Sequence, residues 1–84
     1  MNFYTYVLKS ERNGQHYYGS CRDLYKRLAR HNSGKVRSTK AFRPYKIIYF
    51  EQFESRSDAY KQELFFKTLQ GNNYLKECGV IKKK

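Results

Sequence analysis

Acidic side chains are scarce in this sequence, which has 7 aspartates and glutamates against 18 lysines and arginines and a formal net charge of +11. An excess this large goes beyond what solubility asks of a small protein, and it favours nucleic acid or an anionic membrane surface as partner. Long apolar runs are also missing, since YVL and IIYF are far too short to cross a bilayer. No basic helix with a broad apolar face is predicted either. The charge therefore points to nucleic acid rather than to a membrane.

Cysteine and proline are equally sparse. Cys21 and Cys78 do not have the spacing of a metal site or a redox motif. No signal peptide is recognised, so we expect both to be free thiols in a reducing cytosol. The single proline, Pro44, predicts a loop that leads into a strand. With no repeat, linker or low-complexity tract, residues 1–84 are expected to form one domain.

Three segments have the composition of β-strands. Asn13-Gly14 is a strong hairpin signal and joins the first two of them, which brings Tyr6 and Tyr17 close together. The predicted strands are Asn2–Ser10, His16–Ser20 and Tyr45–Glu54.

Two segments are predicted to be helices. The first follows the capping residue Asp23 and ends at Asn32-Ser33-Gly34, and the second begins at the capping box of Ser55 and Asp58. Gly71 is expected to end the second helix. A short third helix capped by Asn72 or Asn73 and a frayed tail at Lys82–Lys84 complete the prediction. The order β-β-α-β-α predicts an α+β fold, a three-stranded antiparallel sheet flanked by helices.

The first predicted helix carries charge on a face that packing normally fills with apolar residues. Leu24, Arg27, Leu28 and His31 recur at the spacing i, i+3, i+4, i+7 and share that face. Arginine and histidine are unusual there unless they serve a site or a buried polar contact.

The second predicted helix repeats this pattern, because Glu63 lies on the same face as Ala59 and Phe66. An unpaired buried carboxylate costs several kcal/mol or has a raised pKa. One explanation is a buried ion pair between Arg27 and Glu63 that fixes the register of the helices. The other is a pocket above the sheet, lined by both residues and faced by Tyr6 and Tyr17.

Five segments, in the order YTYVL, YYG, DLYKRLARHNSG, YFEQFES and AYKQELFFKTLQG, resemble the GIY-YIG nuclease family over Tyr4–Gly71. The similarity is greatest to the small stand-alone bacterial members. It extends more distantly to the N-terminal nuclease of the excision-repair incision subunit and to phage homing endonucleases. Tyr4-Thr5 replace Gly-Ile in the first motif, and Tyr18 replaces isoleucine in the second. Each motif alone is weak, and their order and spacing carry the resemblance.

The resemblance implies a GIY-YIG-like fold and a metal-dependent endonuclease that hydrolyses DNA phosphodiester bonds, with a role in repair or recombination. The family's catalytic positions fall on Tyr6, Tyr17, Arg27, His31 and Glu63. Glu63 would bind a single Mg²⁺ or Mn²⁺, and Arg27 would contact phosphate oxygens. Tyr17 or Tyr6 would orient the water, with Tyr17 as a candidate general base. His31 would polarise the leaving group or shape the network.

Further residues are expected to contact the nucleic acid, with DNA as the favoured partner. The absence of a side chain at one glycine would let the substrate backbone approach, and the basic loop Lys35–Lys46 would follow that backbone without reading sequence. The residues predicted for this role are Gly19, Arg30, Lys35, Arg37, Lys40 and Arg43. The chain has no room for a separate recognition domain, so low sequence preference is expected.

Two other functions remain open at this point. The first is a nucleic-acid-binding module on the same scaffold that has lost turnover. The second is a basic RNA-binding or ribosome-associated protein, which is weakened because no Gly-x-x-Gly loop or RNA-recognition aromatic motif occurs. The expected location is the bacterial cytoplasm, at the nucleoid if the substrate is DNA.

Overall fold

The computed structural model of the chain describes residues 2–81. They form one antiparallel sheet with the strand order β2-β1-β3 and three α-helices, which confirms the α+β prediction. The predicted tail Lys82–Lys84 lies outside the described residues. The strands are β1 (Phe3–Ser10), β2 (His16–Cys21) and β3 (Tyr45–Phe53), and the helices are α1 (Leu24–Asn32), α2 (Arg56–Phe66) and α3 (Leu69–Glu77).

The central strand β1 separates two hydrophobic clusters, because successive side chains of a strand point to opposite faces. Tyr6 packs with Leu28 of α1 on one face. Val7 packs with Phe66 of α2 and Leu75 of α3 on the other. Helix α1 therefore covers one face of the sheet, and α2 and α3 cover the opposite one. Side chains from α1 and α2 can meet only around an edge or an end of the sheet.

Helix α1 begins and ends as predicted. The side chain of Asp23 accepts a hydrogen bond from the backbone N–H of Lys26 at 3.0 Å and caps the first turn. At the other end the side-chain amide of Asn32 bonds both backbone groups of Tyr45, at 2.7 and 3.0 Å. These two bonds fix the end of α1 to the start of β3.

The start of α2 is predicted correctly, but its end is not. The Ser55 hydroxyl accepts from the Asp58 N–H at 3.0 Å, as the capping box requires. The helix ends at Phe66 rather than at Gly71, and α3 begins two residues beyond Lys67. The cap of α3 is Thr68, whose hydroxyl accepts from the Gly71 N–H at 3.0 Å. The caps predicted at Asn72 and Asn73 are therefore wrong.

Gly71 is the reason that the predicted end of α2 is wrong. It lies inside α3 and does not end a helix. A Cβ atom at this position would lie 1.7 Å from the carbonyl oxygen of Phe65 in α2. Only glycine allows the two helices to approach this closely. The residue that is typical of a helix end here serves a helix–helix contact.

Two expectations concern cysteines and membranes. Cys21 is buried, Cys78 is exposed, and both are free thiols. Among residues 2–81 we find no helix with the length and apolar character needed to cross a membrane.

Candidate active site at the edge of the sheet

Tyr6 and Gly19 lie opposite each other on β1 and β2. The tyrosine ring lies across the glycine, because a Cβ atom on Gly19 would be 2.4 Å from the Tyr6 hydroxyl oxygen. Gly19 is buried. The sequence predicted that the missing side chain of Gly19 leaves space for a substrate backbone. The Tyr6 ring fills that space, so Gly19 makes room for a candidate catalytic residue instead.

His31 is buried between Tyr6, Tyr17 and the basic loop, with only 1% of its surface exposed. Its Nε2 atom lies 3.1 Å from the Tyr6 hydroxyl, and its Nδ1 atom lies 2.9 Å from the hydroxyl of Thr39. Its ring packs edge-on against Tyr17 with 4.8 Å between the centroids. Both ring nitrogens are engaged by neighbouring hydroxyls. This arrangement favours the second of the two roles predicted for His31, shaping the network, over polarising a leaving group.

The surroundings of His31 fix its charge and its tautomer. Burial, together with the charges of Arg27 and Arg30, lowers its pKa from 6.5 to about 4, so the imidazole is neutral at pH 7. The Thr39 hydroxyl donates to the carbonyl of Val36 at 3.3 Å. Thr39 therefore accepts from a protonated Nδ1, and Nε2 accepts from the hydroxyl of Tyr6.

The two tyrosines predicted to be catalytic differ in access to solvent. Tyr6 is 1% exposed, and its pKa is raised mainly by burial and then by Tyr17. Tyr6 therefore keeps its proton at neutral pH. Tyr17 is partly exposed, and its ring centroid lies 6.4 Å from that of Tyr6. Of the two candidates for handling water, Tyr17 is the accessible one.

Glu63 projects from α2 toward the edge strand β2, with 14% of its side chain exposed. Its Oε1 accepts from the Ser20 hydroxyl at 2.9 Å, and its Oε2 pairs with the ammonium of Lys67 at 2.9 Å. Within residues 2–81 the guanidinium of Arg27 has no hydrogen-bond or ion-pair partner. The buried ion pair between Arg27 and Glu63 is therefore wrong as an explanation of the two charges.

Arg27 instead lines a groove of about 1060 Å³ between α1, the end of β2 and the start of α2. Ser20 lines the same groove, and Asp23 is the sole acidic residue in its wall. Of the predicted site residues, Arg27, Arg30 and Lys35 line it, whereas Tyr6, Tyr17 and Glu63 do not. The cations of the groove are Arg22, Lys26, Arg27, Arg30, Lys35 and Arg56.

Electrostatic effects connect the groove to the residues behind it. The charge of Arg27 lowers the pKa of Tyr6, and the carboxylate of Glu63 raises it, although burial has the largest effect. Arg27 and Glu63 belong to helices on opposite faces of the sheet, yet both act on the same hydroxyl. Ser20 joins them structurally, because it lines the groove and donates to Glu63.

Sequence reasoning missed three residues of this site. Lys67 follows Glu63 at the spacing i, i+4, a pattern that predicts an ion pair on one helix face. Ser20 follows Gly19 on β2, and strand alternation places it on the face that α2 covers. Thr39 gave no signal, since nothing in the basic loop distinguishes a buried threonine from an exposed one.

Glu63 is the only predicted metal ligand, and residues 2–81 hold no group of three histidines, cysteines or carboxylates arranged around a common point. A lone carboxylate suits Mg²⁺, which keeps several waters and takes further ligands from a phosphate. Glu63 meets that requirement when the Lys67 ammonium moves away from its Oε2 atom. The donor set fits a hard divalent cation rather than zinc.

Comparisons with known proteins identify the family of this chain. Residues 2–76 match the model of the GIY-YIG catalytic domain, a family whose members are generally endonucleases. A UPF0213 protein of Listeria innocua is 45% identical over 78 residues, which cover 88% of this chain and 86% of that protein. The UPF0213 protein YazA of Bacillus subtilis is 39% identical, over 81% of this chain and 69% of YazA.

A solved structure supports the same assignment. The solution structure of a UPF0213 protein from Bacillus halodurans is 27% identical and superposes with a TM-score of 0.55, covering 93% of this chain and 85% of that one. Residues 2–76, which match the family model, include the sheet, the residues that line the groove and the helix that carries Glu63. The chain therefore belongs to the GIY-YIG catalytic domain family.

Proposed function

We propose that this protein is a metal-dependent endonuclease that hydrolyses DNA phosphodiester bonds with low sequence specificity. One observation carries the proposal: Ser20 lines the basic groove of Arg27, whose guanidinium has no partner among residues 2–81, and donates a hydrogen bond to the partly buried Glu63. Phosphodiester hydrolysis needs a cation for the developing charge, an oriented water and a ligand for the metal. Arg27, Tyr17 and Glu63 are the residues to which we assign these roles.

Arg27 is suited to bind the scissile phosphate. Its guanidinium is exposed and has no partner among the described residues, so it is available to a ligand. A planar guanidinium binds two phosphate oxygens at once, and it stabilises the extra charge that develops in the transition state. Arg30 and Lys35 in the same groove hold the neighbouring backbone.

Tyr17 is assigned to the attacking water. Tyr6 keeps its proton and donates a hydrogen bond to Nε2 of His31, so it supports the site from behind rather than accepting a proton. Tyr17 packs against both residues and is partly exposed. It can orient a water and act as its general base.

Glu63 is assigned to the metal. The Ser20 hydroxyl holds one carboxylate oxygen and so fixes the orientation of the group. When a single Mg²⁺ or Mn²⁺ is bound there, it supplies positive charge to the phosphate and lowers the pKa of coordinated water. A DNA substrate also places the protein in the bacterial cytoplasm, at the nucleoid, with a role in repair or recombination.

Cleavage assays on a panel of DNA structures with Mg²⁺ and Mn²⁺ test the proposal. We expect the wild-type protein to cut duplex, flap or branched DNA, and Glu63→Gln to cut roughly 100-fold more slowly or worse. Glu54→Gln is the matched control, because Glu54 is an exposed carboxylate outside the groove. Equal rates for wild type and Glu63→Gln would contradict the proposal.

One observation favours a second function, that of a nucleic-acid-binding module without turnover. The ammonium of Lys67 occupies a carboxylate oxygen that a metal would use. If this pair abolishes metal binding, the wild-type protein binds DNA or RNA tightly and cleaves neither with any metal. Competition between single-stranded RNA, duplex DNA and branched DNA then identifies the preferred ligand.

A further inference from the structure

A second concave surface lies apart from the groove, between the β1–β2 hairpin turn and the basic loop. It has a volume of about 390 Å³ and is lined by Arg12, Arg37, Lys40, Ala41 and Arg43. All four charged residues in its wall are cationic. Positive charges gathered in one depression repel one another and raise the local concentration of anions. We call this surface the basic depression.

The two segments that form the basic depression are held together by hydrogen bonds. The buried Ser10 hydroxyl donates to the carbonyl of Phe42 at 2.5 Å, and the Glu11 N–H donates to the carbonyl of Pro44 at 2.8 Å. The same Ser10 oxygen accepts from the backbone N–H of Arg12 at 3.1 Å. The hairpin turn and the loop are therefore fixed relative to each other. The fold itself holds the cationic side chains of the two segments close together.

The charged groups differ in what already binds them. The Arg43 guanidinium donates to the carbonyl of Lys40 at 3.1 Å and packs over Gly34, where a Cβ atom would lie 2.6 Å from its Nη1. Within residues 2–81 the side chains of Arg12, Arg37 and Lys40 have no hydrogen-bond or ion-pair partner. Three cations in the depression are therefore available to an external anion.

The groove and the basic depression are lined by residues that are close together in the chain. Lys35 lines the groove and Arg37 lines the depression. Their α-carbons are at most about 7 Å apart along the chain. This corresponds to about two base-pair steps of DNA. A nucleic-acid backbone that leaves the groove beside Lys35 thus meets the depression within a short stretch.

We propose that the basic depression is a second phosphate site, which binds the backbone of the same nucleic acid a short distance from the scissile bond. The inference rests on the proposed function, and it adds Arg12, which belongs to the hairpin and not to the basic loop. We assign its cations to backbone phosphates, which they can bind whatever the base sequence. Its effect is to lengthen the footprint and to hold the strand in register over Arg27.

Equilibrium binding to duplex DNA of increasing length, without divalent metal, tests the second site. The variant carries Arg12→Gln and Lys40→Gln. The control carries Lys61→Gln and Lys76→Gln, which remove the same charge from lysines outside both concave surfaces and outside the basic loop. Arg12, Lys40 and Lys61 are exposed and Lys76 is partly exposed, and equal melting temperatures verify that both variants fold.

We expect the Arg12/Lys40 variant to bind long duplexes about eightfold more weakly for each lost contact at about 0.1 M salt, with a salt slope smaller by about two. Its affinity for the shortest duplexes, which fill the groove alone, stays near that of the control. Equal losses in the two double variants, or no loss in either, would overturn the second site. A wild-type protein that binds DNA but never cuts it would instead overturn the proposed function, and the binding comparison would still decide the second site.

Discussion

At the scale of single residues, His31 makes the stability of the folded protein depend on pH. Its pKa in the folded protein is about 4, below the ordinary value of 6.5, because burial and two arginines disfavour its charged form. The unfolded chain therefore binds a proton more readily between these two values. The contribution of His31 to stability is fully present above pH 6.5 and is lost as the pH falls toward 4.

We expect the free energy of unfolding to fall by about 2 kcal/mol from His31 alone between about pH 7 and about pH 5. Urea unfolding at the two pH values measures this change. His16 also has a lowered pKa, caused by burial and then by Lys9, so it acts in the same direction. His16→Gln should keep most of the pH dependence, whereas His31→Gln should lose it. The same slope in His31→Gln as in the wild-type protein would refute the assignment.

Thr39 is a positioning residue that acts through His31. Thr39→Val keeps the shape of the side chain but leaves the Nδ1 proton of His31 without an acceptor, at a cost of about 1–3 kcal/mol. Thr39→Ser retains the hydroxyl and should restore stability. Nitrogen NMR shifts of His31 report the tautomer, and we expect them to move in Thr39→Val only. Unchanged shifts in that variant would show that Thr39 does not set the tautomer.

At the scale of whole elements, the position of Glu63 depends on how α2 ends and α3 begins. Gly71 permits the contact between these helices, since a Cβ atom there would collide with the Phe65 carbonyl. Gly71→Ala should lower the free energy of unfolding by at least about 1–3 kcal/mol. Gln70→Ala, an exposed substitution in the same helix, should change it by less than about 0.5 kcal/mol. Chemical denaturation compares the two, and a Gly71→Ala protein as stable as wild type would contradict the packing argument.

Elements with strong local signals were predicted from the sequence. The Asn13-Gly14 turn and the caps at Asp23 and Ser55 depend on neighbouring residues, and the hairpin and the starts of α1 and α2 follow. The break between α2 and α3 escaped prediction because it depends on a contact between two backbones. A glycine in the sequence does not show whether it ends a helix or, as Gly71 does, allows a second helix to pack closely.

The residues of the candidate site also fall into a group that the sequence predicted and a group that it did not. Helix-face spacing singled out Arg27 and Glu63, and the hairpin brought Tyr6 and Tyr17 together. The roles of all four came from a resemblance and remain predictions. What the sequence could not supply is the set of partners: Thr39 on His31 and Ser20 on Glu63 join segments that are distant in the chain. Long-range pairs of this kind depend on the whole fold rather than on local pattern.

For the whole molecule, the arrangement of charge follows from the placement of helices on both faces of a small sheet. Helix α1 supplies the arginine and α2 supplies the glutamate, on opposite faces of the sheet. Ser20 of the edge strand β2 links them, because it lines the groove of Arg27 and donates to Glu63. The groove opens at this edge, where a nucleic acid can enter without displacing the core. If the proposed function is right, a net charge of +11 on 84 residues attracts the nucleic acid, and the association rate falls as the salt concentration rises.

The central claim is that Arg27 and Glu63 serve one phosphodiester, and a crystal structure of the Glu63→Gln protein with uncut DNA tests it most directly. We predict a backbone phosphate within hydrogen-bond distance of the Arg27 guanidinium, with Tyr17 and the side chain at position 63 facing the same phosphorus. DNA bound across another surface, with the Arg27 groove filled by solvent, would contradict the account.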